Sequence, residues 1–466
     1  MMKKVLFVAS ECTPFFKSGG LADVIGSLPQ YLNDTDDCEV RVILPLYSQL
    51  KSEYRALLSE VMIYHTEVGW RQQYTGIFEM IYEGTHYYFV DNEQYFKRDN
   101  LYGYEDDGER FVYFSNAVIE FIYRGDYKPD VLHGHDWQAA AAVAIAKIKQ
   151  PVPGIRTIFT IHNILYQGWM EHAAFGQLFN LDMVHFSGFE WDGMLNLMKA
   201  ALFHADKITT VSPTYAEEIR TPYYGEGLEP MLNYRSGDLL GIINGIDVND
   251  YNSMKDDSIE VPFKTSIPKK RQNKKRLQKE LGLPVSDAPM FSIITRMVEQ
   301  KGLHLITRIL EEFIQQDVQV VILGNGLYEF ESYFSYLAAK YPGKVYTYIG
   351  FSESFSRKIY ASSDFFIMPS LFEPCGLSQL IALQYKAIPI VRETGGLKDT
   401  VMPFNLYTGK GTGLTFANYN AHELLDRLND SLVIFNDPTL YRTMFMNITK
   451  VNHSWSQSAH QYLDIY

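Results

Sequence analysis

Several short stretches of this chain put charged and small residues where a strand hands over to a helix. "KSGGLADV" places Lys17, Gly19 and Gly20 between the apolar run Val5–Ala9 and a helical spacing of Leu21, Val24, Ile25 and Leu28. Glycines there let the backbone approach a ligand closely. The helix after them offers N–H groups and a partial positive charge to an anion, and Lys17 adds a full charge. The loop suits a phosphate, or a polyol near one. "ITRMVEQKG" places Arg296 and Lys301 just past another apolar run. Two such cations suit a diphosphate, Arg as a planar fork and Lys as a point charge; the plain alternative is a surface pair with a carboxylate such as Glu299.

In "PSLFEPCGLSQL", Glu373 falls in the loop before a helix that begins at Gly376 and Ser378. A carboxylate there either caps the helix or holds ligand hydroxyls. "ETGGLKDT" (Glu393–Thr400) adds a second Gly-Gly at such a turn and strengthens the case for a shared ligand. "HGHDWQ" and "TIHNILYQG" also end strands, supplying His133, His135, Asp136 and His162. A metal centre there lacks a further acidic ligand at the usual spacing. Asp136 and His162 read as polar groups on a sugar, and His133 as a buried, satisfied histidine.

The elements that position these residues alternate. Predicted strands Val5–Ala9, Val40–Leu44, Val131–His133, Thr157–Ile161 and Lys207–Val211 are interleaved with helices Leu21–Leu32, Glu109–Arg124 and Trp137–Gln150. Between Glu60 and Asp91 strands succeed one another without helices, which predicts a local antiparallel addition. The texture changes around "LLGIINGIDVNDYN" (Leu239–Asn252), and a second alternation runs from strand Phe291–Thr295 to helix His422–Asn436. Such alternation predicts parallel sheets covered on both faces, here two doubly wound α/β domains facing a cleft. The basic run "KKRQNKKR" (Lys269–Arg276) reads as a solvated helical face.

Bulk properties bound the partners. A chain of 466 residues exceeds one core, and its net charge of −13 repels nucleic acid and anionic membrane surfaces. Three cysteines without metal or redox spacing fit a reducing cytoplasm. "MMKKVLFVAS" is too short in its apolar part for a signal peptide. The loop at Lys17 matches neither the P-loop nor the dinucleotide-binding pattern, which disfavours a nicotinamide dehydrogenase.

Taken in order, "KSGGLADV", "HGHDWQ", "TIHN-x-x-YQG", "VSPTYAEEI", "NGID", "TRMVEQKG", "FEPCGLSQ" and "TGGLKDT" resemble the bacterial glycogen synthases and plant starch synthases, glycosyltransferases of the GT-B fold. The resemblance implies ADP-glucose as donor, the non-reducing end of an α-1,4-glucan as acceptor, retention of configuration, and neither metal nor cofactor. It implies that Lys17, Arg296 and Lys301 take the diphosphate. Glu373, with backbone N–H groups near Cys375 and Gly376, holds glucosyl hydroxyls. Asp136, His162 and Asn163 face the transferring glucose, and Ser378 lies at the phosphate end of its helix. Gly19, Gly20, Asp23, Asn244 and Leu377 complete the implied substrate contacts.

Three features depart from the pattern: Ser18 replaces Thr, Phe351 stands where a tyrosine commonly stacks on adenine, and the segment "NDTDDCEVRV" after the first helix lacks the usual glycine-histidine turn; Ile381, where related GT-B transferases carry a second Glu, is as expected for the synthase branch. The implied domains are 1–241 and 242–452, with 453–466 as a helix crossing back to the first. The readings left beside this one are another donor such as UDP-glucose and a non-catalytic glucan-binding relative.

Overall fold

The computed structural model describes residues 2–466. The chain forms two compact units, one running to Asn244 and including Trp455–Tyr466, the other Gly245–Ser454. No helix among the described residues is long and apolar enough to cross a membrane.

The first unit is built on a nine-stranded sheet. Its order is Leu239–Gly241, Lys207–Thr210, Arg156–Ile161, Val131–His135, Lys3–Val8, Cys38–Pro45, Thr85–Asp91, Arg71–Tyr82, Ser59–Val68. The first seven strands pair in parallel. The last two add antiparallel, as the strand-only stretch predicts. Val5, Leu6, Phe7 and Val8 are fully buried, because helices cover both faces of a parallel sheet. Helix Gly20–Asn33 turns Leu21, Val24, Ile25, Leu28 and Leu32 inward at three- and four-residue spacing. The chain runs outward from Lys3–Val8 through Cys38–Pro45 and returns on its other side at Val131–His135. That reversal leaves a crevice beyond the carboxyl ends of those two strands, the usual ligand position in such sheets. The final helix, Ser456–Ile465, belongs to this unit; the Tyr466 hydroxyl lies 2.9 Å from His133 Nδ1.

The second unit carries six parallel strands in the order Val345–Ile349, Gln319–Gly324, Met290–Ile294, Phe365–Met368, Ile388–Arg392, Leu414–Phe416. Successive side chains serve opposite cores. Phe291, Ile293, Val320 and Ile322 face one, and Met290, Ile294, Val321 and Leu323 the other. The reversal here falls between Met290–Ile294 and Phe365–Met368.

One sequence expectation is overturned. Helix Ile267–Glu280 contains the basic run, but its Lys270 and Lys274 are buried. Lys270 Nζ donates to the carbonyls of Tyr360, Ala361 and Tyr385 at 2.9–3.1 Å. Lys274 Nζ meets Asp364 Oδ2 at 2.8 Å. Burial pushes Lys270 down to about 7, while Asp364 holds it up. Only the remaining cations of the run form a solvated face. Carbonyls at the ends of two helices supply the acceptors of Lys270, and these, like Asp364, lie too far along the chain for local spacing to reveal them. Helix Pro438–Ile448 lies outside the sequence expectation, although Asp437 as its cap and Pro438 at its first position are a recognisable start.

Candidate active site

In the first unit, the carboxyl end of Lys3–Val8 opens into the loop that carries Lys17. Its geometry differs from the open anion cradle expected from sequence. The Glu11 carboxylate, only 4% exposed, accepts from the Ser18 N–H at 2.5 Å, the Gly19 N–H at 3.1 Å and the Ser18 hydroxyl at 2.8 Å. Those two amides are therefore taken by the protein itself. Lys17 Nζ is 2.7 Å from Asp23 Oδ1 at the surface, and Asp23 sits in the first turn of its helix, where a negative charge is favoured. Gly19 lies outside the left-handed region, and a Cβ there would meet nothing within 4 Å. Neither conformation nor packing demands glycine at this position, and the space beside its Cα is open.

Beyond Val131–His135 comes Asp136, held at φ +57° and ψ 178°. This region is almost reserved for glycine, and strain of about 1–3 kcal/mol persists only where the surroundings over-determine it, most often at functional sites. Asp136 Oδ1 accepts from the N–H groups of His162 (2.7 Å) and Asn163 (3.3 Å) at the end of Arg156–Ile161. Burial lifts its carboxyl to about 7; the two N–H groups oppose the shift and the Glu11 charge adds to it. His162 Nε2 lies 3.1 Å from His135 Nδ1, and burial lowers His162 to about 3, leaving a neutral imidazole. His133 is satisfied on both nitrogens, by Tyr466 and Thr160. Asn244 is buried, and among the described residues its Oδ1 has no partner.

In the second unit, Arg296 and Lys301 come after Met290–Ile294, and Glu373 comes after Phe365–Met368, so all three sit at the strand-order reversal. Lys301 Nζ is 2.7 Å from Glu373 Oε2, which also accepts from Ser370 Oγ at 3.0 Å. Arg296 is exposed and, among the described residues, its guanidinium forms no hydrogen bond or ion pair, so the expected alternative of a pair with Glu299 does not occur. Gln379 Nε2 faces the carbonyls of Cys375 and Gly376 at 3.0 and 2.8 Å. Leu377 and Ser378 open helix Ser378–Gln384. Phe351, in the loop before helix Glu353–Ser362, is 66% exposed.

The second Gly-Gly proves to be a structural support. A Cβ at Gly395, φ +43°, would lie 1.9 Å from the Glu373 carbonyl oxygen, and the Gly396 N–H donates to that oxygen at 3.1 Å. This turn backs the Glu373 loop, and its Gly396 amide is already used.

The family profile "Starch synthase catalytic domain" matches residues 4–234, and "Glycosyl transferases group 1" matches 274–442. The glycogen synthase of Oceanobacillus iheyensis is 53% identical over 100% of this chain and 98% of its own length. That of Geobacillus stearothermophilus is 45% identical over 99% and 97%. The chain belongs to the glycogen synthase family of glycosyltransferases. The catalytic domain of starch synthase IV from Arabidopsis thaliana, solved bound to ADP and acarbose, superposes with a TM-score of 0.92, at 31% identity and covering 100% and 99% of the two chains. A sucrose-phosphate synthase from Thermosynechococcus elongatus, 16% identical with a TM-score of 0.63 over 100% and 98%, shares the fold.

Within this family member, the structure brings together Lys301 with Glu373, Asp136 with His162 and Asn163, and Lys17 with Asp23. Sequence reasoning missed Glu11, Ser370 and Gln379. Glu11 had a signal, as an acid inside the same strand-to-helix loop as Lys17. Ser370 and Gln379 stood inside the quoted Glu373 stretch, but their partners, the Glu373 carboxylate and the Cys375 and Gly376 carbonyls, are settled only by the folded loop.

Proposed function

We propose that this chain transfers glucose from ADP-glucose to the non-reducing end of an α-1,4-glucan, with retention at the anomeric carbon. The observation that carries the reading is Arg296. It is an exposed guanidinium without a protein partner, at the strand-order reversal and close in the chain to the buried Lys301–Glu373 pair. A fork-shaped cation in that position suits a diphosphate. The ADP in the related starch synthase supports an adenosine diphosphate leaving group. Exposed Phe351 supports an adenine platform.

Arg296 and Lys301 stabilise the charge that develops on the leaving phosphate. Glu373 orients glucosyl hydroxyls while Lys301 neutralises it. In the first unit, Asp136, His162 and Asn163 offer hydrogen-bonding groups to a sugar; neutral His162 serves as a hydrogen-bonding group and not as a cation. The acceptor 4-hydroxyl attacks C1 on the face the phosphate leaves. The C1–O bond to phosphate breaks, the new C1–O bond forms, and the hydroxyl proton passes to the departing phosphate. No carboxylate is assigned as a nucleophile on the opposite face.

Initial rates with ADP-glucose and UDP-glucose on a glycogen primer test the reading. A higher kcat/KM with ADP-glucose is expected. Equal or better use of UDP-glucose overturns the donor assignment, and absence of ADP release with glycogen overturns catalysis. Trapping of a glucosyl group on a named side chain overturns the same-face step.

A further inference from the structure

Glu11 is a carboxylate of the Lys17 loop that the proposed reaction leaves without a part, yet it binds two of the loop's N–H groups and a hydroxyl. The loop is braced at its base by the Cys12–Phe16 bridge, with Cys12 N–H donating to the Phe16 carbonyl at 3.0 Å and Phe16 N–H to the Cys12 carbonyl at 2.9 Å. The Thr13 N–H donates to the Ala22 carbonyl at 2.9 Å, tying the loop to the first turn of helix Gly20–Asn33. Glu11 closes the remaining side by its three bonds to Ser18 and Gly19. Phe15 and Phe16 are buried, so the bracket is anchored in the core. A carboxylate that accepts backbone N–H groups makes short, charge-assisted bonds, stronger than neutral ones.

We propose that Glu11 is a positioning residue for glucosyl transfer, its buried carboxylate holding the Ser18–Gly19 turn so that Lys17 and the bare backbone of Gly19 are presented to the donor in one fixed geometry. The proposal rests on the glucosyl-transfer reading. It also excludes a direct phosphate contact by the Ser18 and Gly19 amides, since both are bound to Glu11.

Two measurements separate this role from a merely stabilising one. Hydrogen–deuterium exchange on the peptide spanning residues 15–22 needs no substrate. Glu11→Ala should speed exchange at Ser18 and Gly19 by about tenfold or more, whereas Glu11→Gln, whose amide oxygen can accept both N–H groups, stays near the wild type. Kinetics on the same proteins should give Glu11→Ala a donor KM raised by about tenfold or more, with Glu11→Gln within about threefold of the wild type. If Glu11→Ala does not fold, Glu11→Asp, which keeps the charge and withdraws it by one methylene, takes its place with the same expected shifts. Unchanged exchange in the variant, unchanged KM despite faster exchange, or a Glu11→Gln loss as large as that of Glu11→Ala overturns the proposal. If the wild type transfers nothing from ADP-glucose, the functional reading fails separately, because the exchange result does not depend on it.

Discussion

Removing the Lys301 ammonium leaves the Glu373 carboxylate buried, with the Ser370 hydroxyl as its remaining side-chain donor. The two side chains are 14% and 7% exposed, so solvent screens their interaction little. Deleting one member of such a pair costs about 3–5 kcal/mol, because the remaining charge has lost its counterion and water cannot replace it. For a unit of this size, each kcal/mol moves Tm by about 2–4 °C, so Lys301→Ala should lower the melting of the second unit by roughly 6–20 °C. Arg296 has no such partner, and Arg296→Ala should stay within about 0.5 kcal/mol of the wild type. Both substitutions should still cut kcat/KM by roughly 30- to 1,000-fold, the loss of a charge-assisted contact to the leaving diphosphate worth about 2–4 kcal/mol. Calorimetry and initial rates on the two variants, with the Lys301→Ala/Glu373→Gln double substitution alongside, separate the effects. The double variant should melt above Lys301→Ala, since no bare carboxylate remains. A Lys301→Ala protein that melts with the wild type, or an Arg296→Ala protein as destabilised as Lys301→Ala, refutes the reasoning.

Asp136, lifted from 3.8 to about 7, binds its proton more tightly folded than unfolded, so its contribution to stability is full at the acid end and is lost as pH rises through about 7. Asp136→Asn should flatten that decline in denaturant midpoints; an identical pH slope in the variant argues against it. Gly395→Ala puts a methyl group against the Glu373 carbonyl at a positive φ, and should cost more than about 1 kcal/mol and lower kcat by displacing Glu373; a variant with normal Tm and kcat contradicts this. Phe351→Ala should raise the donor KM by roughly 5- to 150-fold, a stack of about 1–3 kcal/mol, without moving Tm, and Phe351→Tyr should behave as the wild type. An unchanged KM for Phe351→Ala removes the platform role.

The alternation of short apolar runs with amphipathic helices was legible along the chain because side-chain periodicity is a local property: two residues per repeat in a strand, 3.6 in a helix. It located Arg296, Lys301 and Glu373 after strands, and Asp136 and His162 likewise, since the end of an apolar run is visible in the adjacent residues. The antiparallel strands between Ser59 and Asp91 were legible for the same reason. What those residues touch was not. Lys301 and Glu373 are 72 positions apart and meet because Met290–Ile294 and Phe365–Met368 lie side by side, and strand order leaves no local trace. The inward lysines 270 and 274 look like surface charges until the fold surrounds Lys270 with carbonyls at distant helix ends and sets Lys274 against Asp364. Two Gly-Gly turns that read alike in sequence do different work. Gly19 has open space where a Cβ would stand, while Gly395 is glycine because another loop passes 1.9 Å from where its Cβ would be. A residue type states what chemistry is possible at a position. Only the packed chain decides whether that capacity is spent on the protein, as at Ser18 and Gly19, or left without a protein partner, as for the Arg296 guanidinium, because each buried polar group must take whichever partner the fold brings within reach.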